Sequence, residues 1–460
     1  MNSISKIESF SGASFKPISL PKEQPSNFVN FANIVCSRES TYRVMLDLTA
    51  FDLPAMLAAS FRGFKNFLDT TFECLYGTAI LFGSPFVTTF VGKVIGKLVL
   101  PKDLQNDTLN LLKFRMEDTK DSHSLKQGIS RIASEEVEDK NFISSLFKKA
   151  NRLGQASKFE KEAHDIKKFA DGFVPTDELA KQIYKLKKYT IIAESVVEGT
   201  WSATVGLATR LFRKHVLKED RFTGTKGYLS DQESSMLGEA EDISTFQKFV
   251  TFAMCFLSPI TNSILLTKTE NEESVKKSKF LQIIKDQLDM THGIYPKLGL
   301  LLSYTVPPKW IGQIYSSQGN FERIEKLLKL PTVVASWWFG HRVTNGLLCK
   351  NADEKFCKEY KLEKGIFIEP DYYTSDKSPT NFFTRTRNKF PEPAKIQHIF
   401  RTIENLNLDK ETKEKAIQEA EKRHAKCLYT GFALHAGFVW LMNMLVNYIT
   451  KLRAKYALGG

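Results

Sequence analysis

The chain has 460 residues, 42% hydrophobic and 25% charged, and its mean hydropathy of −0.25 excludes a protein built mostly of membrane helices, so any membrane part is a minority of the fold. Lys and Arg number 65 against 52 Asp and Glu, a net charge of +13 at pH 7, which favours anionic partners such as phospholipid headgroups, nucleic acid or acidic proteins. The six cysteines are scattered without a C-x-x-C pair, which excludes a secreted disulfide framework and fits a reducing compartment.

Residues 1–27 are Ser-rich with Pro17, Pro21 and Pro25 and lack the basic and apolar regions of a secretory signal, so a disordered tail is expected there. Residues 28–100 form an N-terminal helical region, with Pro54 placed to begin a helix. An uncharged block runs from Cys74 to Gly92, and Ser84-Pro85 in its middle should kink or break the helix. Gly92 and Gly96 are spaced as a G-x-x-x-G, which lets two helices approach closely in lipid.

Residues 101–189 change character. Leu, Phe and Ile recur every three or four residues among many charges, the pattern of an amphipathic, basic helical layer. Asp103, Ser122 and Thr176 are candidate N-caps, and Lys181, Lys185, Lys187 and Lys188 read as a solvated helix face.

Residues 190–348 are read as a central helical region. Glu194 and Glu198 share a helix face and are candidate catalytic carboxylates, but no E-x-x-H accompanies them, so partners for Arg210 or a lysine are expected instead of a metal centre. A second uncharged block, Phe249 to Thr267, again holds a central Ser-Pro, Ser258-Pro259; residues 82–89 and 256–263 echo one another, and residues 343–348 resemble 260–265. Leu298 to Pro308 is apolar but too short to span a bilayer, with Trp310, Trp337 and Trp338 nearby as candidate membrane-interface residues. His341 and Arg342 form the most reactive-looking pair and are candidate catalytic residues, since a guanidinium neighbour favours a neutral imidazole, but with no partner acid or nucleophile at a known spacing a structural hydrogen-bonding role is expected.

Residues 349–408 form a polar, loop-rich region in which Phe382, Phe383, Arg385 and Arg387 interleave rings with cations. Such a segment suits anionic lipid headgroups, preferred here over single-stranded nucleic acid. Residues 409–457 should be one long C-terminal helix capped by Asp409, with Glu411/Lys415 and Glu419/Arg423 at i,i+4. No Asp, Glu, Lys or Arg occurs from Cys427 to Thr450, and about 20 apolar residues suffice to span a bilayer, so 427–450 is a candidate transmembrane segment. Ala433 and Gly437 form a small-x-x-x-small pair, while Asn443 and Asn447 need polar partners; a second helix, from this chain or another copy, is expected along them.

No phosphate-binding loop, dinucleotide fingerprint, H-E-x-x-H, G-x-S-x-G or kinase signature occurs, which points away from catalysis and implies neither cofactor nor metal. The expectation is an all-α, multi-helix protein with amphipathic layers and two or three long apolar helices, two of them Pro-broken. It is expected to lie at a membrane, with its polar regions mainly cytoplasmic, as a scaffold or membrane-remodelling component contacting anionic lipid and self-associating through the C-terminal helix. The alternative is a soluble all-α protein with a buried apolar ligand site, or an enzyme site around Glu194, Glu198 and His341.

Overall fold

The structure, a computed structural model, describes residues 26–458 apart from 38, 150, 227–228, 231–232, 234–242, 286, 291–294, 336–339, 364 and 369–392. The fold is all-α, and the described residues include no strand, only the isolated bridges Met290 to Pro296 and Ile368 to Pro393. In chain order the helices are α1 (Asn27–Val35), α2 (Glu39–Leu46), a π-helical turn (Asp47–Asp52), α3 (Leu53–Ser60), α4 (Phe64–Val99), α5 (Thr108–Leu111), α6 (Ser122–Lys149), α7 (Leu153–Asp171), α8 (Asp177–His215) and α9 (Thr223–Lys226). They continue as α10 (Thr245–Cys255), α11 (Leu257–Glu270), α12 (Glu272–Lys277), α13 (Lys279–Lys285), α14 (Leu298–Ser316), α15 (Gly319–Ala335), α16 (His341–Tyr360), α17 (Ile396–Glu404) and α18 (Lys410–Ala457).

Local chemistry sets the helix starts. Thr176 accepts the Leu179 amide at 3.1 Å and Asp409 accepts that of Thr412 at 2.9 Å, so two of the expected caps hold. Ser122 does not cap α6; Asp121 accepts the Ser124 amide at 2.7 Å, and the Ser122 amide donates to Asp177 at 2.7 Å. Asp103 caps nothing either, because Leu104 precedes the short 3-10 turn at Gln105–Asp107.

The prolines act unequally. α4 runs unbroken through Pro85, while the second block divides at Phe256, ahead of Pro259, into α10 and α11. Beside Pro85, Thr88 and Thr89 donate their hydroxyls back to the Ser84 and Pro85 carbonyls at 2.9 and 2.7 Å, bonds that hold these side chains against their own helix. The run expected to stop at Pro307-Pro308 instead continues as α14 to Ser316.

Two long helices organise the packing. α8 is surrounded by α4, α10, α11 and α14, and α18 by α1, α3, α15, α16, α17 and the π turn, while α6 and α7 pair beside the start of α8. α8 and α14 approach closely at their backbones: a Cβ on Gly312 would strike the Ala203 backbone, and one on Gly206 would lie 2.9 Å from the Gln313 Cα. Gly92 and Gly96 instead admit the side chains of Leu112 and Thr108. Apolar cores gather where α4, α5, α6 and α8 meet and where α6, α16, α17 and α18 meet.

Three helical stretches, Phe64–Val99, Thr245–Glu270 and Lys410–Ala457, are long and apolar enough to cross a membrane. Their amphipathy is reversed relative to a water-soluble bundle. On α4 the ridge Phe82, Phe86, Phe90, Val94, Leu98 points outward, with Phe86 77% and Phe90 71% exposed. Phe246, Phe249, Phe252, Phe256, Ile260 and Ile264 do the same on α10 and α11, and Leu434, Phe438, Leu441, Leu445, Tyr448 and Leu452 on α18. The inward faces carry buried Asn66, Asp69, Thr78, Ser84 and Thr88 on α4, and His435, Asn447 and Thr450 on α18. Exposed apolar ridges of this extent mark surfaces that meet a membrane or another protein.

Candidate functional site

The polar interior is built first from two arginines. Arg62, just after α3, grips Glu325 of α15 with two hydrogen bonds of 2.8 Å, donates to Asn447 of α18 at 2.8 Å, and to the Gly224 carbonyl at 2.6 and 2.9 Å. Asn447 in turn donates to the Ala58 carbonyl at 3.1 Å, and Lys329 pairs with Glu325 at 2.7 Å. Arg213, near the end of α8, bonds Asp69 of α4 at 2.8 and 3.0 Å and Glu322 of α15 at 2.9 and 3.2 Å. Both guanidinium groups also lie over the Phe222 ring, 5.6 and 5.5 Å from its centroid. Burial alone would push the Glu322 and Glu325 carboxyls up, but Arg213 and Arg62 outweigh it and hold both below the usual carboxylate range.

This network borders a cavity of about 200 Å³. Its lining includes Asp52 from the π turn, Glu73 from α4, Lys309 and Gln313 from α14, Lys326 from α15 and Asn443 from α18. Glu73 is engaged by Lys326 and by Gln313 at 2.8 Å, and Asp52 by the Thr78 hydroxyl. Burial pushes the Asp52 carboxyl up despite that hydrogen bond. Lys309 closes no contact ion pair with a described residue, but its charge acts on Asp52 and Glu73, and its ammonium lies beside Gly77. The cavity is smaller than the roughly 300–1,000 Å³ of sites for drug-sized ligands, so it suits a small solute.

Glu194 and Glu198 lie in the middle of α8, wholly buried. Arg210 is not their partner: it donates to Gln247 at 3.1 Å and to the Ser316 carbonyl at 3.2 Å. Glu194 receives the hydroxyls of Thr88, of Tyr304 at 3.3 Å and of Ser84 at 3.4 Å. The echoing Ser-Pro segments meet α8 from two sides, Ser84 at Glu194 and Ser258 against Gly199, with Asn262 donating to Ser195 at 2.9 Å. Residue Asn345, in the third echo, is set against Gly431 of α18 in the same manner.

The other expected site residues scatter. Trp310 is half-buried in α14, its indole N–H enclosed without a hydrogen-bond partner. Trp337, Trp338, Phe382, Phe383, Arg385 and Arg387 lie outside the described residues, as do the side chains of His341 and Arg342 at the start of α16. Asn443 donates to the Val439 carbonyl at 2.9 Å beside the cavity, while Ala433 and Gly437 face outward with no other part of the chain within 4 Å of a Cβ at 437. Lys187, expected on a solvated face, is wholly buried, pairing with Asp289 at 2.8 Å and donating to the Leu112 carbonyl at 3.2 Å. Among the described residues no three His, Cys, Asp or Glu side chains come together as a metal site, and all six cysteines are free thiols.

Sequence reading missed the two arginines. Asn66, Asp69 and Glu73 recur at three- and four-residue spacing ahead of the first apolar block, and Glu322, Glu325, Lys326 and Lys329 do so on α15; these one-sided polar faces were the available signal. No family model, curated protein or solved structure matches the chain.

Proposed function

We propose that this chain is an integral membrane protein whose helix bundle takes a small charged solute into its polar interior. One observation carries the reading: all three helical stretches able to cross a bilayer turn apolar ridges outward, and two of them, α4 and α18, turn Glu73 and Asn443 toward a shared cavity. A water-soluble protein gains stability by the opposite arrangement, and polar groups placed inside a membrane fold at cost mark ligand and ion pathways. Lys309, the cavity ammonium whose charge acts on Asp52 and Glu73 but closes no contact ion pair with them, is the group that would meet an anionic carboxylate or phosphate, with Gln313 and Asn443 as neutral donors. Anionic lipid around the basic flanks of α18 is part of the same proposal.

Position in the membrane is tested by Leu441→Lys. Leu441 is 59% exposed on the outward ridge of α18. A lysine there raises the insertion cost by roughly 2.5–3.5 kcal/mol if the ridge faces lipid, so carbonate-resistant membrane retention should fall; a variant folded and released like a soluble protein sinks the reading. The solute role is tested in proteoliposomes with acetate, inorganic phosphate and glycine as probes. Uptake of at least one, lost in Lys309→Ala, is expected; uptake of none leaves the scaffold role as the better account of the same membrane bundle.

A further inference from the structure

Four residues on one stripe of α8, Thr190, Glu194, Glu198 and Ser202, recur at four-residue spacing and are all wholly buried. Neither carboxylate oxygen of Glu198 has a partner in hydrogen-bonding geometry, although the Ser84 hydroxyl that bonds Glu194 also acts on it, and neither do the hydroxyls of Thr190 and Ser202 one or two turns away on the same face. Buried polar atoms are almost always satisfied, and each left unpaired costs about 1–3 kcal/mol, more when charged. Charge sharpens the problem. The cations on the same helix are committed elsewhere, Lys187 to Asp289 and Arg213 to Asp69 and Glu322. From the packed neighbours come only neutral groups: Ser84 and Thr88 of α4, Tyr304 of α14, and Asn262 of α11 one step away through Ser195.

We propose that Glu194, Glu198 and Ser202 of α8, with Ser84, Thr88 and Tyr304, form a binding site for a hard metal cation. Two carboxyls with no counter-charge in a desolvated interior are neutralised either by protons or by a bound cation, since hydrogen bonds from hydroxyls or water supply no charge, and the unpartnered oxygens of Glu198 and the facing hydroxyls favour the cation. The donor set is oxygen throughout, the coordination that Ca2+ and other hard cations take, and it has no thiolate or imidazole to favour a transition metal. Hydroxyls suit the task because each can donate to a carboxylate while turning a lone pair toward the ion. This site is separate from the solute cavity and does not depend on solute passage.

The experiment is equilibrium binding of radiolabelled sodium and calcium to the full-length protein in detergent micelles, with Glu198→Gln alongside. Expected is saturable binding of one of the two ions, weakened at least about tenfold in the variant, as removal of a ligand charge should do. Calcium binding identifies a site with both carboxylates ionised; sodium binding identifies one that keeps a proton. Wild-type protein that binds neither ion overturns the proposal, because the pair then holds only protons and water. Binding unchanged in Glu198→Gln overturns it too. If that variant elutes as an aggregate, Thr88→Ala decides: weakened affinity supports the site, and unchanged affinity overturns it. Failure of the solute assay leaves these outcomes untouched, since they are read without a membrane gradient.

Discussion

α8 passes through two buried polar regions that obey different rules. Toward its C-terminus, Arg213 meets Asp69 and Glu322 in a network where opposite charges are matched and the geometry is bidentate. About four to five turns earlier, Glu194 receives hydroxyls while neither oxygen of Glu198 has a partner within hydrogen-bonding distance. Matched pairs in a low-dielectric interior fix helix positions and leave little capacity for a ligand, whereas unmatched ones are stable only with something else present. The first region reads as a lock between α4, α8 and α15, the second as a receptor.

The lock should break hardest. Arg213→Ala leaves Asp69 and Glu322 buried without their guanidinium, and breaking such a pair typically costs about 3–5 kcal/mol. Thermal melting of the detergent-solubilised protein should show a large drop or loss of a folded peak. A melting point within a degree or two of wild type would mean that the interior is hydrated well enough to carry lone carboxylates, and the contrast with Glu194 and Glu198 would dissolve.

Acid should reach the lock next. Arg213 and Arg62 hold the Glu322 and Glu325 carboxyls below their usual range against the opposing pull of burial. A depressed folded pKa contributes stability that is fully present above the unfolded value, about 4.3 for Glu, and is lost as pH falls through the folded value. Stability from these two residues should therefore be flat from pH 8 to about pH 5 and decline below about pH 4. Glu325→Gln should lower the plateau and flatten the acid limb; melting curves against pH read both.

The receptor should respond with the opposite sign. In buffer without added metal, Glu198→Gln removes an uncompensated buried carboxyl and keeps its volume, so the melting temperature should stay level or rise. A fall comparable with that of Arg213→Ala would show that Glu198 is a structural partner and belongs with the lock.

How much of this was legible depended on which physical rule was local. Caps at Thr176 and Asp409, the Glu411–Lys415 pair at 2.7 Å, and the apolar blocks rest on near-neighbour chemistry, and they stand. The buried Lys187 was not readable, because its partners at Leu112, Phe114 and Asp289 are distant in sequence. Pro307-Pro308 looked like a terminator, yet α14 carries both prolines through its packing against α8. Helical periodicity finds two faces but not which solvent each meets, so the outward apolar ridges and the inward Arg62 and Arg213 emerged only from the fold. The low mean hydropathy has the same origin: charge is spread over the interior as well as over the helical layers outside the three apolar stretches.

The smallest effect expected is at Gly437, and it separates packing within one chain from packing between copies. A Cβ at 437 would meet nothing within 4 Å, so in a single chain Gly437→Leu should not clash. Glycine inside a helix is about 1 kcal/mol less favourable than alanine, so the substitution should leave the melting temperature equal or slightly higher. By contrast, Gly206→Leu would drive a side chain into the α14 backbone and should cost about 1–3 kcal/mol as overpacking. If α18 also self-associates through Ala433 and Gly437, Gly437→Leu changes the mass measured by light scattering in detergent while leaving the melting curve alone. An unchanged mass with an unchanged curve places both small residues simply against lipid, and the helix packing that matters is then the α8–α14 contact at Gly206 and Gly312.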